Sequence, residues 1–169
     1  MFKVMKNIEL KKFFNEEDSF EQDGKKIYLV PLKEFAKTEE FQNCPEVSRK
    51  DKDPLTGEET ITKCKFLNSS AWTDVYPHLI IEKTPSEKTV WCVDLDSKVV
   101  SGTWPDVEYQ IMVRVNEDGS LYTDFKQKIH RAREKCPKDG KFYNLNYFKD
   151  GCEHFVPTTY PRYYRDPSF

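Results

Sequence analysis

Three consecutive residues near the end of the chain, Cys152, Glu153 and His154, bring together a thiol, a carboxylate and an imidazole. A cysteine becomes a nucleophile when its pKa is lowered and a base lies close by. Gly151 permits a tight entry into a helix beginning at Cys152, where unpaired N–H groups would favour the thiolate. The pattern therefore makes Cys152 a candidate nucleophile.

The base must come from elsewhere, because the side chain of an adjacent residue points away from the thiol. The chain has three histidines, His78, His130 and His154. His154 is two positions from the thiol, and His130 falls on a predicted helix, toward solvent. His78 begins an apolar strand, from which an imidazole can face a helix start packed on the sheet. We predict His78 as the base, with an ordinary strand-end histidine as the plain alternative.

Zinc bound by Cys152, Glu153 and His154 is a weaker interpretation. Consecutive residues cannot converge on one ion without distortion, and no second ligand pair has suitable spacing. The five cysteines are an odd number and form no CxxC pair. Reduced thiols, rather than a disulfide framework, are therefore expected. For Cys152 itself, a packed thiol without a chemical role is the other alternative.

The composition favours a folded chain with little general affinity for nucleic acid. Aromatic residues make up 14% of the 169 residues, which is more than disordered chains carry. The formal net charge of -2 argues against broad electrostatic binding to nucleic acid but allows a local basic patch. No signal-peptide core and no run of about 18 apolar residues is present, so we expect a soluble intracellular protein.

The first sixty residues predict a few short elements. A short helix is expected in IELKKFF, a strand over 25–30 and a short helix over 31–41, where Pro31 suits the helix start. Residues 43–60 predict an exposed loop with a turn at DPLTG. No repeat or low-complexity segment occurs.

From residue 61 the pattern favours β-structure. Strands 78–83 and 89–95 flank a turn and predict one hairpin, and strands 107–115 and 120–123 flank NEDG and predict another. Apolar residues then recur at helical spacing over 124–136, which predicts a helix packed on the sheet. The order indicates an α+β domain with an antiparallel sheet on helices.

The string CEHFV, residues 152–156, resembles the NC-box of the acyltransferases related to lecithin:retinol acyltransferase. The usual family string has Asn before Cys, where this chain has Gly151. YPHLIIEK is similar to the family's H-box, a strand that begins with the catalytic histidine, and assigns that position to His78. The resemblance covers roughly residues 61–156, so we divide the chain into an N-terminal extension, 1–60, packed on an acyltransferase-like domain, 61–169.

The resemblance implies a permuted papain-like, NlpC-type thiol fold and a phospholipase A or acyltransferase. Cys152 would attack a phospholipid ester and form a thioester, and His78 would move the proton. No metal or organic cofactor is implied. A phospholipid or a membrane surface is the expected partner, and the location would be cytoplasmic, peripheral to membranes. Peptidase or amidase chemistry on this fold is a further alternative.

Two points stay open at the level of the sequence. The family often has a second histidine that orients the base, and this chain offers Cys92 or Asp94 there; the carboxylate is chemically better suited. Some picornaviral nonstructural proteins carry both boxes without a demonstrable need for acyl transfer. A non-catalytic module that binds protein or RNA is therefore the rival interpretation. The tail YPRYYR could stack on RNA, although packing back on the domain is favoured.

Overall fold

The computed structural model describes residues 4–71, 74–103, 106–135, 142–149 and 153–165. It divides the chain into two compact units. The first comprises the described residues of 4–44 and 95–125, and the second those of 45–94 and 126–165. The predicted boundary after residue 60 falls inside a strand, Glu59–Cys64, and the structure divides the chain elsewhere.

Helices are few and short. Two 3-10 helices, Asn7–Phe13 and Glu16–Asp18, precede the α-helices α1 (Leu32–Phe35) and α2 (Glu39–Gln42). Thr38 caps α2, because its hydroxyl accepts a hydrogen bond from the Phe41 N–H at 3.2 Å. The single helix predicted over 31–41 is therefore interrupted between α1 and α2.

The first unit contains a four-stranded antiparallel sheet in the order β1–β2–β9–β8. The strands are β1 (Ser19–Gln22), β2 (Lys25–Pro31), β8 (Asp96–Ser101) and β9 (Glu108–Val115). The predicted strands 25–30 and 107–115 are confirmed. The predicted partner at 120–123 is reduced to a single bridge between Leu121 and Val115.

The second unit is a closed antiparallel barrel in the order β10–β11–β12–β5–β6–β7, with β10 also pairing β7. Its strands are β5 (Phe66–Ala71), β6 (Asp74–Lys83), β7 (Thr89–Asp94), β10 (Gln127–Lys135), β11 (Phe142–Lys149) and β12 (Glu153–Thr158). A separate hairpin joins β3 (Val47–Lys52) to β4 (Glu59–Cys64). Closure satisfies the backbone groups that an open sheet would leave unpaired at its edges.

A fully buried apolar cluster fills this unit. Alternate residues of a strand point to opposite faces, and cross-strand partners share a face, so one residue in two along each strand reaches the interior. The members of the cluster are Val47, Cys64, Leu67, Ile80, Val90, Cys92, Ile129, Tyr147 and Phe155.

Two predictions about this region are wrong. Residues 127–135 form strand β10, not part of a helix over 124–136. The two predicted hairpins do not share one sheet, since 78–83 and 89–95 belong to the barrel while 107–115 belongs to the first unit. The helical spacing also fitted a strand, because Ile129 is buried between the exposed Lys128 and His130. The pairing of this segment with β7 and β11 favoured the alternation of a strand over the repeat of a helix.

The hairpin β3–β4 also replaces much of the loop expected over 43–60. The predicted turn at DPLTG lies between its strands, where the Gly57 N–H donates to the Asp53 carbonyl at 2.8 Å. Taken together, the chain is an α+β protein dominated by antiparallel sheet with few helices. None of the helices in the described parts of the chain is long and apolar enough to cross a membrane.

Candidate functional site

The site is built around His78, whose place follows from strand register. In the barrel His78 lies opposite Leu67 on β5 and opposite Asp94 on β7. Residues paired across antiparallel strands have their side chains on the same face. Since Leu67 belongs to the buried cluster, His78 and Asp94 lie on the inner face.

Both ring nitrogens of His78 have partners. The Nδ1 atom is 2.8 Å from Oδ1 of Asp94, and Nε2 is 2.8 Å from Oγ of Ser69. An ionised carboxylate can only accept a hydrogen bond. Nδ1 therefore carries the ring proton and donates a hydrogen bond to Asp94. Nε2 then holds the lone pair and accepts from the Ser69 hydroxyl. The tautomer of His78 is therefore fixed by its neighbours.

The hydrogen bonds continue beyond Asp94. The side-chain amide of Gln127 donates to Asp94 Oδ1 at 2.7 Å, and Lys149 Nζ donates to Gln127 Oε1 at 3.1 Å. We call this connected set, Ser69, His78, Asp94, Gln127 and Lys149, the His78 network. It spans four strands of the barrel, β5, β6, β7 and β10, and reaches the last residue of β11.

Burial changes along the network. Ser69 is 1% exposed and His78 4%, whereas the side chain of Asp94 is 46% exposed. The connectivity is that of a serine–histidine–aspartate triad, but here the hydroxyl is the buried end. A nucleophile must be reached by its substrate, so this geometry makes Ser69 a partner of Nε2 and not an acyl acceptor.

The second motif packs against the same histidine. The Phe155 ring, on β12, lies edge-on to the His78 ring with centroids 4.9 Å apart, and Phe155 pairs with Ser69. His78 of YPHLIIEK and Phe155 of CEHFV are thus neighbours in the barrel. Cys152 itself lies outside the described residues.

The expectation that a helix begins at the thiol is wrong for the residues that follow it. Glu153–Thr158 is strand β12, and Glu153 pairs with Lys149 at the end of β11. Pro157 explains part of the difference, because proline in a helix interior removes a hydrogen bond and clashes with the preceding turn. Residues 153–158 therefore form no helix whose dipole could stabilise a thiolate.

The structure separates the remaining candidates. Cys92, the alternative to Asp94, lies opposite Ile80 in the fully buried cluster, so Asp94 is the hydrogen-bond partner of His78. His130 lies on β10 and bonds to Thr89, with Nδ1 3.0 Å from Oγ1. The ring of His154 packs on Phe148. Within the described ranges, no group of three His, Cys, Asp or Glu residues could hold a metal ion.

Three members of the network, Ser69, Gln127 and Lys149, were not predicted from the sequence. Gln127 fell within the predicted helix, so the sequence prediction did not bring it to Asp94. Strand alternation around the buried Ile129 would have placed Gln127 on the same inner face. Ser69 and Lys149 carry no local signal, because only the pairing of distant strands brings them to His78 and Gln127.

The C-terminal segment packs back onto the barrel, as the sequence favoured. Tyr164 and Val75 exchange two backbone hydrogen bonds, of 2.7 and 2.9 Å. The rings of Tyr163 and Tyr76 pack edge to face at 5.9 Å. Tyr160 stays 81% exposed. Most of this aromatic segment is therefore engaged with its own domain.

Comparison with models of protein families, with curated proteins and with solved structures gives no match. The likeness to the lecithin:retinol acyltransferase relatives stays a prediction that depends on the two motifs.

Proposed function

We propose that this chain is a thiol-dependent phospholipase A or acyltransferase in which Asp94 orients His78 as the base for Cys152. The observation that carries the proposal is the 2.8 Å hydrogen bond from His78 Nδ1 to Asp94 Oδ1. It keeps the proton on Nδ1 and the lone pair on Nε2, the arrangement a general base needs.

The position of Cys152 in the chain supports this assignment. It belongs to the connection 150–152 between Lys149 and Glu153, which pair with each other. Lys149 is the last member of the His78 network, and Phe155, three residues after the thiol, contacts the His78 ring. Three residues of chain span at most about 11 Å, and we therefore propose that the thiol acts beside this network.

The proposed reaction has two steps. Nε2 takes the thiol proton, and the thiolate adds to the ester carbonyl carbon of a phospholipid. The C–O bond then breaks, the leaving alcohol takes the proton from His78, and an acyl thioester remains on Cys152. In the second step water, an alcohol or an amine gives a proton to Nε2 and adds to the thioester carbonyl carbon. The C–S bond then breaks, the acyl product leaves, and the Cys152 thiolate takes the proton back from His78. Backbone N–H groups near Cys152 stabilise the oxyanion in both steps. The Ser69 hydroxyl must release Nε2 before the first step.

Further parts of the proposal follow from the motif likeness. The partner is a phospholipid or a membrane surface, and the location is cytoplasmic, peripheral to membranes. A permuted papain-like, NlpC-type arrangement remains the proposed fold relationship, which a six-stranded barrel fits only loosely. No cofactor takes part.

Trapping the thioester tests the proposal. Wild-type protein, incubated with phospholipid in vesicles and in detergent, should release fatty acid and carry an acyl group on Cys152, detected by mass spectrometry. Cys152→Ala should abolish both, and Asp94→Asn should lower the rate roughly 10- to 1,000-fold by disturbing the tautomer. Cys44→Ala, the removal of a thiol in the first unit, is the matched control and should retain full activity.

Iodoacetamide labelling gives a second measurement. Cys152 should react faster than the other four cysteines near neutral pH. Faster labelling of Cys44, or an absence of thioester and turnover in a folded sample, would end the catalytic proposal.

The second candidate is a non-catalytic module that binds protein or RNA. Two observations favour it: His78 is buried with Nε2 engaged by Ser69, and β12 replaces the helix that would activate the thiol. Under this alternative, Cys152→Ala leaves partner binding intact and no acyl-enzyme forms.

A further inference from the structure

The outer face of the barrel carries a row of planar and cationic side chains. On β10, His130 lies opposite Phe148 of β11, and Phe148 lies opposite His154 of β12. Lys128, two residues before His130, lies opposite Trp91 of β7. We call these five residues the outer ladder. They alternate with the buried Val90, Cys92, Ile129, Tyr147 and Phe155, which face the interior.

Two pairs of side chains within the ladder are in contact. Lys128 Nζ lies 5.5 Å from the centroid of the Trp91 ring, within cation–π distance. The Phe148 and His154 rings pack edge to face with centroids 4.4 Å apart. The side chains of Lys128, His130 and His154 are exposed to solvent. Four ring side chains and one lysine therefore share this outer face of the barrel.

Charge is distributed unevenly between the units. Residues 45–94 and 126–166 contain 17 Lys and Arg against 14 Asp and Glu, a net charge of +3. The rest of the chain contains 10 against 15, a net charge of -5. The acidic group opposite Trp91 is Glu82, and Lys126 Nζ pairs with it at 3.3 Å. The small net charge of the whole chain is therefore the sum of a basic second unit and an acidic remainder.

We propose that the outer ladder binds single-stranded nucleic acid. Bases stack on the exposed rings of His130 and His154 and on the half-buried rings of Trp91 and Phe148, because every base has a π-face, and a phosphate pairs with the exposed Lys128. Adjacent strands lie about 4.8 Å apart, so the four strands of the ladder span roughly 14 Å. That length accommodates two or three stacked bases, as on other sheet surfaces that bind RNA. Duplexes are excluded as ligands because their bases are already stacked on each other.

The proposal is independent of the catalytic one. The ladder points outward, while the His78 network lies on the inner face. Asp94→Asn should therefore leave nucleic-acid binding unchanged, and Phe148→Ala should weaken binding without removing any member of the network. Failure of one proposal is distinguishable from failure of the other.

Fluorescence anisotropy of a labelled uridine dodecamer at low salt tests the proposal on the full chain. Phe148→Ala should weaken binding at least about 5-fold, the lower range for the loss of one base stack. Lys128→Glu should weaken it as well, and should reduce the slope of log K against log salt by about 0.7 for each phosphate that the side chain no longer neutralises. Lys50→Glu, the same charge change at an exposed position of β3, is the matched control and should alter the affinity by less than about 2-fold.

Several results would overturn the proposal. They are an absence of binding at low salt, a weakening by Lys50→Glu equal to that by Lys128→Glu, and equal affinity for a duplex of the same length. Binding to anionic vesicles that Phe148→Ala abolishes, with none to the oligonucleotide, would assign the ladder to lipid. Because Phe148 is half-buried, His154→Ala at an exposed position provides a second ring deletion should Phe148→Ala fail to fold.

Discussion

Removal of the Ser69 hydroxyl tests the core of the His78 network whatever the reaction. Ser69 is 1% exposed, and its Oγ is 2.8 Å from Nε2 of His78, itself 4% exposed. Ser69→Ala would leave Nε2 as a buried acceptor without its partner, which costs about 1–3 kcal/mol. We expect a decrease of about 2 kcal/mol in the free energy of unfolding, or roughly 4–8 °C in Tm for a chain of this size.

Urea denaturation followed by tryptophan fluorescence provides the assay. Ser70→Ala, the same change at the next and exposed position of β5, is the control and should stay within about 0.5 kcal/mol of wild type. A double-mutant cycle with His78→Leu isolates the pair, and a coupling of about 1 kcal/mol or more is expected. Equal effects of Ser69→Ala and Ser70→Ala, or additivity with His78→Leu, would refute the described hydrogen bond.

Two further predictions concern the opposite end of the barrel. Burial acts to raise the pKa of Glu87, but the Ser48 N–H at 2.7 Å and Lys83 at 3.2 Å hold that pKa below its ordinary value. The stabilisation is therefore present above about pH 4.3 and lost as pH falls further, so acid titration of unfolding should show a smaller loss of stability in Glu87→Gln than in wild type. Burial raises the pKa of Tyr147 to about 12, and its hydroxyl donates to the Glu87 carbonyl at 2.6 Å. As pH rises from about 10 toward that value, stability should fall more in wild type than in Tyr147→Phe, because the variant lacks this group. Tyr147→Phe should itself lose about 1 kcal/mol of stability at neutral pH. Disappearance of one tyrosinate signal from the high-pH ultraviolet titration would identify the group. Parallel acid curves for wild type and Glu87→Gln, or a Tyr147 signal near its ordinary pKa of about 10, would contradict these assignments.

The sequence by itself determined the hairpin that carries the site. Apolar and β-branched runs on both sides of a short turn predict strands 78–83 and 89–95, and these strands pair as β6 and β7. Chemistry alone favoured Asp94 over Cys92 as the partner of His78. Its place opposite His78 depends on a bulge between Ile80 and Glu82, which the turn does not predict. The pairing of these two strands depends on contacts between residues close in the chain.

Only the tertiary structure decided the rest of the network and the fate of 124–136. Ile129 alternates with polar neighbours and also fits a helical spacing, so local pattern could not choose between the two periods. The pairing of β10 with β7 and β11 chose the strand, and it brought Gln127 to Asp94. Ser69 and Lys149 reach the network in the same way, through strands distant in sequence. Contacts of this kind depend on how a barrel closes, which no short stretch of residues encodes.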